Sequence, residues 1–395
     1  MTAALPEKRG GGVGGIPPVA PTHAFPERMP VLTSIRFWLA LGVVLFHYQL
    51  NIVAEGGMGV SLIERARLAV DFFFILSGFV LSHVYGRQVR DGTFHYGRFL
   101  TARMARIYPA HGLMLVLMVV IVSVAVALGQ PFDSQSYSFA GLVAAAGMIH
   151  AWLPASVPNE WNGPSWSLSA EWAAYLAFPV FAWIGLRSGR NPWLTLGLAI
   201  AGFVALDAFY RWRFGEILTH AELVLGVLRI APEFLYGVAL YQLGARLKLS
   251  PTVTRLAAGL SVVTLLAMMH FAADERLTVA VAGLVILTLA LLARTDAAFA
   301  AHPWAVEAGE ASYALYLVHL PLLIIWKNGM ALLHGVDSTY RLPLWEAAVL
   351  LALTIGAAFA LHAFWERPAR LWLRWSIRKG ADDRGTIPPT SKEKS

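Results

Sequence analysis

Ten apolar runs, separated by polar breaks, pattern the chain: residues 31–50, 68–86, 107–129, 166–186, 192–210, 222–243, 255–272, 277–293, 312–333 and 344–365. About 20 apolar residues in a helix rising 1.5 Å per residue cross a hydrocarbon core of roughly 30 Å. Each run is near that length, 277–293 being the shortest. The pattern predicts an all-α, polytopic integral membrane protein with about ten transmembrane helices. An eleventh run, 138–153, is ambiguous, and charge decides its place. If it does not cross, the basic clusters at 87–106, 187–190, 246–255, 294 and 367–379 all fall on the side of the amino terminus, which the excess of Lys and Arg marks as cytoplasmic. If it crosses, that agreement is lost downstream. Residues 138–153 are therefore read as a re-entrant or interfacial segment, and both termini as cytoplasmic. Arg211 and Arg213, in a predicted outer loop, are the main exceptions.

Composition agrees with this reading. The 395 residues are 57% hydrophobic and 14% charged, against about 25% charged in an ordinary soluble domain. Residues 1–30, rich in Gly and Pro, read as a disordered cytoplasmic lead without a signal-peptide cleavage pattern. Residues 31–375 form one transmembrane domain, and 376–395 read as a disordered cytoplasmic tail with no appended soluble domain. Cysteine is absent, which excludes disulfides, thiolate metal sites and a cysteine nucleophile; no metal is expected. The 31 basic residues against 24 acidic ones flank apolar runs, so they point to a lipid bilayer and its orientation rather than to nucleic acid.

Ionisable groups inside spans are costly and mark candidate sites. In the first span Arg36 and His47 are separated by ten mostly apolar residues, an axial rise of about 16 Å. That places Arg36 near the cytoplasmic face and His47 in the outer half, where an imidazole is either a catalytic base or a polar packing contact. Asp71 opens the second span, in DFFFILSGFVLS, at the predicted level of His47; it either orients the imidazole or caps its own helix. Ser77 and Gly78 follow as small residues suited to close helix approach or to lining the path. Arg98, Arg103 and Arg106 precede the third span, the last two sharing a helix face, and suit either phosphate oxygens or topology anchoring. In NGPSWSLSAEWAAY, Asn162, Trp166 and Ser167 lie at the outer end of the fourth span and Glu171 within its first turns. Trp166 reads as a belt aromatic or as a sugar-stacking surface. His47, Asp71 and Glu171 are thus expected at one depth, where a water-accessible pocket accounts for them. In the ninth span Tyr316 and His319 share a face with Ser312, and His319 is either a core contact or part of the acyl path.

Taken together these segments resemble the acyltransferase 3 family of membrane acyltransferases over about residues 31–375. Arg36 and His47 match its Arg, ten residues, His arrangement; DFFFILSGFVLS resembles its second-span signature, Arg103 and Arg106 its RxxR pair, and WSLSAEWAAYLAFP its WSLSxE segment. ASYALYLVHLP and WERP resemble its closing motifs. The resemblance implies transfer of an acyl group, usually acetyl from cytoplasmic acetyl-CoA, to a hydroxyl of a sugar or related acceptor, with His47 closest to catalysis. The family's usual second acidic residue after WSLS is replaced here by Trp172, so a role needing it does not carry over. Some relatives carry a fused extracellular esterase-like domain; the short tail leads to the expectation that the membrane unit or another protein presents the acceptor.

The resulting expectation is an O-acyltransferase of a bacterial inner membrane that modifies a cell-surface or periplasmic glycan or glycolipid. Arg36, Arg98, Arg103 and Arg106 hold the acyl-CoA donor; His47, assisted by Asp71 or Glu171, deprotonates the acceptor. Asn162, Trp166, Ser167, Ser77, Tyr316 and His319 line the acceptor path. A transient acyl-histidine is the alternative chemistry. The rival functions are a transporter or flippase for a sugar or carboxylate and an acyltransferase acting on a secondary metabolite. The acceptor's identity and the oligomeric state are open.

Overall fold

The chain is seen in a computed structural model that describes residues 24–54, 57–130, 133–154, 161–186, 191–296, 301–336 and 340–373. The lead before residue 24 and the tail after 373 lie outside the described residues, which contain helices and no strand. Eight of the predicted spans are helices long and apolar enough to cross a membrane. They are α1 (Pro30–Ile52), the four-residue α2 (Ser61–Glu64) continuing through a 3-10 turn into α3 (Ala69–Arg90), α4 (Tyr96–Ala127), α8 (Pro192–Phe214), α10 (Pro251–His270), α11 (Glu275–Thr295), α12 (Pro303–His334) and α13 (Leu344–Leu361). Their starts follow from local chemistry. Asn191, Ser250 and Asp274 accept hydrogen bonds from first-turn backbone N–H groups, and Pro192, Pro251 and Pro303 occupy positions where no N–H is needed. Gly215 and Gly335 end α8 and α12 in the left-handed conformation that glycine adopts without penalty.

The other two predicted spans are built differently. Run 166–186 is two helices, α6 (Trp166–Leu176) and α7 (Phe178–Gly185), because Pro179 has no N–H to give the Tyr175 carbonyl. Run 222–243 becomes α9 (Val227–Arg246), too polar to pass as a span alone because Arg229 and Glu233 lie inside it. Run 138–153 holds only α5 (Phe139–Ala146), which rises about 12 Å and cannot cross. Its continuation is tied to α6 and α9: Ala151 N–H donates to Ser169 Oγ, and Val227 N–H donates to Ala151 O.

The helices sort into an interior and a periphery. α3, α9, α11 and α12 are mostly buried, whereas α10 exposes Leu256, Leu260 and Val263 as a lipid-facing row. α1 packs along α12, and α3 along α9. The second contact is backbone against backbone: a Cβ on Gly78 would stand 2.0 Å from Phe234 O, and one on Gly237 would stand 2.0 Å from Ile75 O. Gly309 of α12 meets Thr33 O of α1 in the same way. These two close pairs fix the walls of the site. α12 also starts nine residues before the apolar run 312–333, since hydropathy marks the membrane-embedded part of a helix and not its full length.

Candidate active site

A cavity of about 790 Å³ lies between α1, α3, α4, α6 and α12. That volume suits a bound small molecule. Exposed Glu27, Arg28, Val84 and Pro303 line one end, and buried Ser167, Ser312 and Tyr316 line the other. The cavity is therefore open at the face where α1 and α12 begin and closed inside the bundle.

Arg36 from α1 and Arg103 and Arg106 from α4 line it together. Among the described residues neither Arg36 nor Arg106 makes a hydrogen bond or ion pair. Arg103 is held over the rings of Tyr85, Phe99 and Tyr175, at 5.7, 5.9 and 6.0 Å, donates to Tyr85 OH at 3.4 Å, and keeps a buried Nε without a partner. Cation–π contact of this kind orients a guanidinium without neutralising it. Glu171 lies in the same cavity and accepts from Ser77 Oγ at 2.7 Å and from Tyr175 OH. Glu307 and Glu310, nearer the mouth, lie 3.9 Å from Arg367 and Arg370 respectively, with His362 of the WERP-bearing turn 4.0 and 3.9 Å from them. Three cations thus line the cavity with one inner carboxylate, Glu171, while the buried Glu366, hydrogen-bonded to His362, also lies near Arg36; the excess of positive charge suits an anionic ligand.

The imidazoles lie just beyond the closed end. Tyr316 OH donates to Pro164 O at 2.9 Å and pairs with Ser167 Oγ at 2.8 Å, sealing the cavity. One helical turn further along α12, His319 meets His47 with ring centroids 4.9 Å apart. Tautomers follow from the partners, because a carbonyl only accepts. His319 Nδ1–H donates to Tyr316 O at 2.7 Å, which leaves His319 Nε2 as an acceptor. His47 Nδ1–H donates to Val43 O at 2.9 Å and lies 3.3 Å from His319 Nε2. The lone pair of His47 Nε2 is then the free basic site, and no hydrogen bond occupies it among the described residues.

The structure does not bring together all the residues expected at one depth. Both Asp71 carboxylate oxygens accept from Arg229, Nε at 2.8 Å and Nη2, with the pair fully buried and the guanidinium 5.2 Å from the Trp166 ring. Asp71 is thus engaged away from His47, and Glu171 is grouped with the arginines. Trp166 is 5% exposed, packed on Arg229 and Phe74 rather than facing lipid. Arg98 is exposed and does not line the cavity. Asn162 is buried, and its Nδ2 donates at 3.4 Å to Leu317 O, the carbonyl that Pro321 leaves without its helical partner. On the loop after α5, burial and the His111 imidazole push His150 down to about 4, and its Nε2 faces Ser165 Oγ at 3.1 Å. Among the described residues no group of three potential metal ligands forms a cluster.

Sequence reasoning missed Arg229 and Glu233. The signal was available, since both are charges inside an apolar run.

Comparison with known proteins decides what this arrangement belongs to. Residues 31–363 match the acyltransferase domain of the acyltransferase 3 family. The chain belongs to that family. The domain it carries is an acyltransferase domain, which favours an enzyme over a transporter. The chain is 33% identical over 181 residues to Acyltransferase MdmB of Streptomyces mycarofaciens, covering 44% of this chain and 45% of the relative. It is 36% identical to Protein 2 in picA locus of Rhizobium radiobacter, over 46% of this chain and 95% of that one. It is 23% identical to the peptidoglycan O-acetyltransferase OatA of Listeria monocytogenes, over 87% of this chain and 56% of OatA. The matched region thus spans about half the length of MdmB and of OatA. No solved structure matches the chain.

Proposed function

We propose that this acyltransferase moves an acetyl group from acetyl-CoA, bound at the cytoplasmic face of a bacterial inner membrane, to a hydroxyl of a cell-surface or periplasmic glycan. The observation that carries this reading is the arginine-lined cavity ending one helical turn short of His47 and His319. The basic clusters support a cytoplasmic mouth, and Arg36, Arg103 and Arg106 are the contacts for donor phosphates. The name of OatA, which aligns over 87% of this chain, supports a glycan acceptor.

In this mechanism the Tyr316–Ser167 contact opens to let the thioester end of the donor reach His47, and the acceptor hydroxyl approaches from the opposite side. The hydroxyl oxygen attacks the thioester carbonyl carbon as its proton passes to His47 Nε2. The carbon–sulfur bond then breaks, and the thiolate takes the proton from His47 Nε2 to leave as free coenzyme A, which returns the imidazole to its neutral form. Val43 O keeps the other proton on Nδ1, and His319 Nε2 faces that N–H as positive charge develops on His47. Glu171, with Ser77 and Tyr175, shapes the donor side.

Membranes containing the protein are expected to release coenzyme A from acetyl-CoA and to place a labelled acetyl group, ester-bonded, on a glycan extract. Coenzyme A release with the label found on a non-glycan hydroxyl compound instead would overturn the acceptor assignment.

A further inference from the structure

The residues just before α1, outside the stretch that matches the family, are built into the cavity. Phe25 is 3% exposed and sits among Phe79, His83 and Tyr241, with ring centroids 5.3, 6.3 and 5.9 Å away. Arg294, in the last turn of α11, covers the Phe25 ring at 5.3 Å and donates to Ala24 O at 3.5 Å and Gly244 O at 3.1 Å. Burial of an aromatic ring together with a cation–π contact from an arginine anchors a short segment. Ahead of α1 the chain therefore runs as a strap across the ends of α3, α9 and α11. Four residues on, Met29 is buried again, and Glu27, Arg28 and Met29 line the cavity mouth.

Arg28 is exposed there, with no ion pair or hydrogen bond among the described residues. The same cavity is lined by Arg36, Arg103 and Arg106. Of the acids at the mouth, Glu307 faces Arg367 and Glu310 faces Arg370, and Glu27, next to Arg28 in the chain, forms no ion pair with it among the described residues. We infer that the strap is part of the donor site, Phe25 being its anchor and Arg28 the outermost contact for the phosphate-bearing end of the acyl donor. This inference rests on the donor-cavity reading above. Since the donor's polar end is far from the reacting carbon, Arg28 binds ground state and transition state alike and acts on KM alone.

Steady-state kinetics on membranes containing the full chain test it, with acetyl-CoA varied. Arg28→Ala is expected to raise the donor KM about five-fold with kcat unchanged, the size of a partly exposed charge contact. Arg28→Glu should raise it further and Arg28→Lys less, and the KM of Arg28→Ala should climb less steeply with salt than that of wild type. Phe25→Ala should move KM in the same direction by releasing the strap. Unchanged KM in both Arg28→Ala and Arg28→Glu, while Arg103→Ala and Arg106→Ala raise it, would overturn the strap assignment and leave the donor cavity standing. Unchanged KM in all four would overturn the donor-cavity reading itself.

Discussion

Asp71 and Arg229 show how a buried charge is used structurally. With the pair out of water, removing one partner strands the other at a cost of several kcal/mol, whereas replacing both with apolar groups is often tolerated. Asp71→Ala is therefore expected to lose about 3–5 kcal/mol of stability. Asp71→Leu combined with Arg229→Met should recover most of it, as read by thermal unfolding of the purified protein in detergent. A stable Asp71→Ala variant would contradict the ion pair. The rule that an intramembrane charge has a partner was legible in the sequence for Asp71; which partner was not, because Arg229 is 158 residues away. Glu171 shows the same limit. Its place within the first turns of its helix was legible, but its grouping with Ser77 and the arginines depends on how far α6 is inserted against α3.

Among the elements, the α3–α9 contact positions the cavity wall that carries Ser77. Gly78 and Gly237 let the two backbones touch, so an added methyl group at either meets a carbonyl oxygen that cannot move aside. Gly78→Ala and Gly237→Ala are expected to separate the helices, shift Ser77 from Glu171 and lower both stability and acyl transfer. Gly197→Ala in α8, where a Cβ meets nothing within 4 Å, should be neutral or slightly stabilising. Equal behaviour of all three variants would mean the close approach is absent. Most elements were legible because membrane helices must satisfy their own backbone, so apolar length and helix coincide. Where the two part company, the reading fell short. The polar start of α12 extends beyond its apolar run, Pro179 divides a span-length run in two, and α9 is buried by its neighbours and so tolerates charges that hydropathy penalises.

At the scale of the whole molecule, a one-ended cavity lined by cations stops short of a histidine pair, separated from it by Tyr316 and Ser167. In the proposed mechanism binding and chemistry are divided between the two ends of α1, with Arg36 in the cavity and His47 beyond the Tyr316–Ser167 contact. Variants at the two ends should therefore differ in kind. The most direct measurement is acetyl transfer by membranes carrying His47→Gln at matched protein levels, with the donor concentration varied. The account predicts a fall in kcat of about 10²- to 10⁴-fold with the donor KM unchanged. A kcat equal to wild type would contradict it and return His47 to a packing contact.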